Sequence, residues 1–168
     1  LLDYERRGVP DVEAGVFVWP WNPGTAEQDV LRVGPDPGAA GRVLLDPATF
    51  RADGTASIGA FSLGPDGRRL AYAISDGGSD WKTWRVREVA TGADLSEVLA
   101  GSKFTAVSWA RDGSGFWYSR YPAKPGGGYD DSRQVAVYFH AAGTPQAQDV
   151  LVYAVTDHPT RDPYAHVT

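Results

Sequence analysis

Ser62-Leu63-Gly64-Pro65-Asp66-Gly67-Arg68-Arg69-Leu70-Ala71-Tyr72 and Ser108-Trp109-Ala110-Arg111-Asp112-Gly113-Ser114-Gly115-Phe116-Trp117-Tyr118 are two copies of one unit. Each copy reads strand, Asp-Gly turn, strand, because Asp and Gly accept the positive φ that a tight hairpin demands. The copies start at Ser62 and Ser108, a spacing of roughly 40–50 residues, which is the period of a propeller blade. Two further strands are expected after each copy. After the first they are 82–89 and 95–99, and after the second 134–140 and 150–153. Four strands per period is the composition of one blade.

The rest of the chain agrees with short strands. Glycine (20) and proline (12) recur at intervals that leave no room for long helices. Between them lie runs that alternate with period two, as half-buried strands do. Leu70, Tyr72 and Ile74 share a face, as do Val135, Val137 and Phe139. Phe17, Trp19 and Trp21 share another before the turn Asn22-Pro23-Gly24. In Trp84-Arg85-Val86-Arg87 apolar and charged residues alternate. The expected fold is all-β, a partial β-propeller of four-stranded antiparallel blades: a partial first blade over 16–45, whole blades over 56–99 and 103–153, and the opening strand of another at 165–168. Propellers close with about four to eight blades, so three blades in 1–168 imply a piece of a longer chain.

Composition narrows the function classes. Hydrophobic residues make up 42%, within the globular range. The formal net charge is −5, where a nucleic-acid binder would show a basic excess. No apolar run is as long as a membrane span. The sequence has no cysteine, which removes disulfides and thiolate chemistry. Neither a nucleic-acid nor a membrane partner is expected, nor any cofactor.

Four stretches carry a resemblance to a known family. They are Gly41-Arg42-Val43-Leu44-Leu45-Asp46-Pro47 with Asp53-Gly54-Thr55, Asp76-Gly77-Gly78-Ser79-Asp80-Trp81, Lys103-Phe104-Thr105-Ala106-Val107-Ser108-Trp109, and His140-Ala141-Ala142-Gly143-Thr144-Pro145-Gln146. In that order and spacing the chain resembles the propeller of prolyl oligopeptidases. The third stretch looks like that family's Lys-Phe strand and the second like its Gly-Ser-Asp-Trp loop. A sister oligopeptidase preferring basic residues fits these two stretches less well. The resemblance implies a seven-bladed propeller joined to an α/β-hydrolase domain with a Ser, Asp and His triad, absent from this chain. The propeller would admit only short proline-containing peptides. It also implies roles for three residues. Phe104 would line the substrate pocket, against a reading as inter-blade core. Asp80 would face the catalytic domain and pair with an arginine there, against a reading as a turn cap. Trp81, beside it at the same interface, reads first as packing.

The residues themselves offer no catalytic centre. A nucleophile elbow reads Gly-x-Ser-x-Gly, and the nearest match, Thr55-Ala56-Ser57-Ile58-Gly59, lacks the first glycine. His140 reads as a strand residue with a local hydrogen bond. His158 and His166, with Asp157 and Asp162, have no metal-ligand spacing. Gly126-Gly127-Gly128 follows prolines and precedes Asp130-Asp131, which suits an inter-strand loop better than a phosphate cradle. The alternative from another class is a non-enzymatic propeller that binds a protein partner.

Overall fold

The structure, a computed structural model, describes residues 4–51, 53–156 and 162–168. Among the described residues, thirteen strands build three antiparallel sheets. The first contains β1 (Arg6–Arg7), β2 (Asp11–Glu13), β3 (Val16–Asn22), β4 (Val30–Gly34) and β5 (Arg42–Leu45), with β1 and β2 both pairing β3. The second is β6 (Ala56–Leu63), β7 (Arg69–Asp76), β8 (Trp81–Glu88) and β9 (Leu99–Lys103). The third is β10 (Ser108–Trp109), β11 (Gly115–Arg120), β12 (Ala136–Ala141) and β13 (Val150–Ala154). In the second and third sheets each strand pairs only with its neighbours in sequence, the up-and-down order of a propeller blade.

The period-two pattern is used on both faces. Along β7, Leu70, Tyr72 and Ile74 enter a core shared with Val18, Leu31, Val33 and Leu45 of the first sheet. The intervening Ala71 and Ala73 enter a second core with Trp84, Val86, Leu99, Trp109, Phe116 and Tyr118. The strand is therefore fully buried, not half-buried, and the alanines leave room for Trp84 and the third sheet. Arg87 corrects the same expectation on β8. Its side chain lies between sheets, donating to the Leu44 carbonyl at 2.7 Å and pairing with Asp94 at 2.7 Å. Burial is tolerated because the guanidinium finds partners on both sides.

Specific hydrogen bonds join the sheets. The Leu63 N–H donates to Asp11 Oδ2 at 2.7 Å, and Trp109 Nε1 donates to the Ser62 carbonyl at 3.1 Å. The Asp-Gly turns close as expected, with Gly67 N–H donating to the Gly64 carbonyl and Gly113 N–H to that of Ala110.

Several boundaries differ from the sequence reading. The first sheet begins at Arg6, since β1 and β2 complete the near edge of β3. The last strand of the second sheet is 99–103 instead of 95–99. Before it, Asp94 makes an isolated antiparallel bridge with Arg87 of β8, and the Leu95 N–H donates to the Val86 carbonyl at 2.8 Å. Residues 103–109 are two short strand ends joined by a bend, because Phe104 adopts a left-handed backbone (φ +50°) that no strand accommodates. Residues 165–168 lie in no strand. There the Val167 N–H meets a side chain, Ser108 Oγ at 3.0 Å, and no ladder forms.

Candidate functional site

The three residues singled out by resemblance come together at one end of the second sheet. Trp81 and Lys103 are the last register partners of the β8–β9 ladder. Asp80 and Phe104 are the residues next beyond that pair, so the ladder delivers both to the same rim.

The β7–β8 connection turns through Gly77 (φ +58°) and Gly78 (φ +75°), and Ser79 closes it by accepting from the Trp81 N–H at 3.2 Å. The cap is thus Ser79 and not Asp80. The Asp80 carboxylate is exposed, and nothing among the described residues pairs with it. Phe104 is 75% exposed in this chain. It borders a hollow of about 370 Å³ formed with Val107, Tyr164 and His166.

Trp81 is held between sheets. The Lys103 ammonium lies 4.3 Å from its ring centre, and Tyr121 meets it edge-on at 5.6 Å. Lys103 also pairs with Asp131 at 2.5 Å, and this bond holds the Asp131 carboxyl below its ordinary range. The 121–134 connection is more ordered than a plain loop. Tyr121 N–H donates to the Gly101 carbonyl and Asp130 N–H to that of Pro122, both at 2.8 Å. Ala123 and Tyr129 form a bridge, leaving Gly126-Gly127-Gly128 as an exposed hairpin tip. Gly101 (φ +88°) is required beneath it, since a Cβ there would lie 2.4 Å from the Tyr129 ring.

Lys103, Tyr121, Tyr129 and Asp131 therefore belong to this rim although none was singled out as a site residue from the sequence. Lys103 stood in the Lys-Phe stretch, and the signal for the others was the two aromatics flanking the glycine run. Ser57 of the near-match to a nucleophile elbow sits inside the β6–β7 ladder opposite Ser75, with no sharp turn to present it. His140 is in a strand, as read, but fully buried between two carboxylates, His140 Nδ1 to Asp149 Oδ1 at 2.7 Å and Nε2 to Glu97 Oε1 at 3.9 Å. His166 is exposed, and His158 and Asp157 lie outside the described residues. A larger cavity of about 1000 Å³ opens at the opposite end of the strands, among the Asp66-Gly67 and Asp112-Gly113 turns, and contains none of the rim residues.

Consecutive antiparallel sheets of four or five strands, each packed face-on against the next, define a β-propeller. The family described as "Prolyl oligopeptidase, N-terminal beta-propeller domain" matches residues 1–168, and the chain belongs to it. The prolyl endopeptidase of Elizabethkingia meningoseptica is 35% identical over the whole chain, and the match covers 24% of that protein. The dual function macrocyclase-peptidase POPB of Galerina marginata is 32% identical over 94% of this chain and 24% of its own. A solved structure from a study of two prolyl endopeptidases superposes with a TM-score of 0.82 at 37% identity, covering 95% of this chain and 22% of that one. A variant of Galerina marginata prolyl oligopeptidase B, bound to a 35mer hydrolysis and macrocyclization substrate, gives 0.79 at 30% identity over 94% of this chain and 25% of that one. The chain thus spans about a quarter of these relatives. Each of them is named as a peptidase, which leaves the partner-binding alternative without support.

Proposed function

We propose that this chain is part of the gating propeller of a serine endopeptidase that cleaves short peptides on the C-terminal side of proline. A single observation carries the site assignment. Asp80 and Phe104 leave the last β8–β9 register pair side by side, one an exposed unpaired carboxylate and the other an exposed aromatic ring. In this reading the whole enzyme works by acyl transfer, with nucleophile, general base and oxyanion donors on an α/β-hydrolase domain. Asp80 pairs with an arginine of that domain, and Phe104 offers an apolar wall to the peptide upstream of the scissile bond. Trp81 and Lys103 position the two.

The test uses the full-length protein with Phe104→Ala and Asp80→Asn, each against a short and a longer proline peptide. Phe104→Ala should lower kcat/KM by about ten- to hundredfold on the longer peptide, through KM, and leave the short one unaffected. Asp80→Asn should act on both peptides and lose its effect at high salt, as a partly exposed ion pair does. Unchanged kcat/KM for Phe104→Ala on both peptides removes Phe104 from the site.

A further inference from the structure

His140 is fully buried on β12, and the groups around it come from both sides of the seam between the second and third sheets. Asp149, just before β13, accepts from its Nδ1 at 2.7 Å. Glu97, from the β8–β9 connection, places Oε1 3.9 Å from its Nε2. From β11, the Phe116 ring lies 5.3 Å away. Tyr118 and Arg120 of β11 face it through Asp149: the Tyr118 hydroxyl donates to Oδ2 at 2.5 Å and Arg120 Nη1 stands 3.6 Å from the same oxygen. Glu97 is 2% exposed, and both carboxylates have side chains wholly withdrawn from solvent. Among the described residues no group of three His, Cys, Asp or Glu has the geometry to hold a metal ion.

The protonation state follows from donor counting. Asp149 only accepts, so Nδ1 carries a hydrogen. Nε2 then faces Glu97 either as N–H or as a lone pair. A lone pair would set two acceptors against each other in a buried site, and a buried carboxylate without a cation is costly. His140 Nε2 has no hydrogen-bond partner, and a proton on it turns the 3.9 Å approach to Glu97 Oε1 into an attraction between opposite charges. We propose that the seam between the second and third sheets is a proton-operated latch, in which an imidazolium at His140 holds Glu97 of one sheet to Asp149 of the other and releases Glu97 on losing its proton.

The two carboxylates are not equivalent. Without the charge Asp149 keeps Tyr118 and Arg120, whereas Glu97 keeps only the Gly143 N–H at 2.8 Å. The Glu97 side is therefore the one that lets go. Beside it the Gln146 side chain bridges the same seam, donating to the Ala100 carbonyl at 2.9 Å and accepting from the Ala100 N–H at 3.3 Å. Further along lie the Tyr121–Gly101 bond and the Lys103–Asp131 pair, so an open seam loosens the rim that carries Trp81 and Phe104.

Burial opposes the charge on His140, but the hydrogen bond to Asp149 and the negative charge of Asp149 and Glu97 hold its affinity for a proton above the ordinary value of 6.5. A raised value in the folded state means the stabilisation is complete below 6.5 and is lost as pH rises through the folded value. Glu97 is lowered from 4.5, despite burial, by His140 and the Gly143 N–H, so its share is lost only in acid. The seam is tightest between these limits.

Hydrogen exchange on the full chain from pH 6 to 9, corrected for the intrinsic chemical rate, reads the latch directly. Protection of the Ala100 and Gly143 amides should fall above 6.5 by up to about tenfold per pH unit, while Tyr72, within the second sheet, holds. Glu97→Gln should abolish that slope. An equal loss at Tyr72, or an unchanged slope in Glu97→Gln, overturns the proposal. Should the variant not fold, the imidazole resonance of His140 in the unaltered chain decides. A midpoint above 6.5 supports the latch, and a midpoint at or below 6.5, or no titration, overturns it.

Discussion

Phe104 combines a left-handed backbone with an exposed aromatic ring, which sets its fold and its role against each other. A non-glycine residue in that region costs about 1–2 kcal/mol, and a ring 75% exposed returns little by burial. Phe104→Gly should therefore leave the melting temperature unchanged or raise it by a few degrees, at about 2–4 °C per kcal/mol for a chain this long. In the full-length protein, under the proposed function, it should still lose kcat/KM on longer peptides. A drop of more than a few degrees would mean that the ring packs in the folded protein. Gly101 is the opposite case. Its φ of +88° and the 2.4 Å approach to Tyr129 leave no room for a methyl group, so Gly101→Ala should cost about 1–3 kcal/mol, measured by urea denaturation.

At the scale of the element, β7 is the strand both cores depend on. Its alanines are there for space, and Ala71→Leu should destabilise by about 1–3 kcal/mol through overpacking against the third sheet, read as a shift in denaturation midpoint without a change in slope. The hairpin copies and the strand runs were legible in the sequence because Asp-Gly turns and period-two patterns are local signals. Whether a face met solvent or another sheet was not legible. Alternation in β7 looks the same in both cases, and only stacking shows that Ala71 and Ala73 are core. The Lys103–Trp109 stretch was read as one strand because nothing local announces that a phenylalanine will take a positive φ. The rim was legible in part. Asp80, Trp81 and Phe104 came from resemblance, whereas Lys103 meets Trp81 across the β8–β9 ladder and Tyr129 and Asp131 reach that pair only across sheets. Glu97 gave no signal, since a lone glutamate at an expected strand edge is ordinarily solvated.

For the whole molecule, the outer strand of the third sheet is exposed along its length. Val150, Leu151, Val152 and Tyr153 are 51–61% exposed, an apolar strip on an open edge, the arrangement proteins ordinarily blunt or cover. The 168-residue chain by itself should associate at tens of micromolar, a concentration within the roughly μM–mM aggregation-prone range. Light scattering checks this, and Leu151→Lys should reduce it. A stable monomer before any substitution would show that the strip is harmless.

The confinement of each sheet to one contiguous run of chain has a consequence for synthesis. Every ladder is complete within one contiguous stretch, 6–45, 56–103 or 108–154. Ribosomes add about 5–20 residues each second, and a hairpin forms in about 1–10 μs. Each blade's ladder can therefore zip up while the next is still in the exit tunnel, and wrong pairings between blades have no partner present when they would compete. The slow step left to the nascent chain is docking of finished blades, in which the buried charges around His140 must find one another.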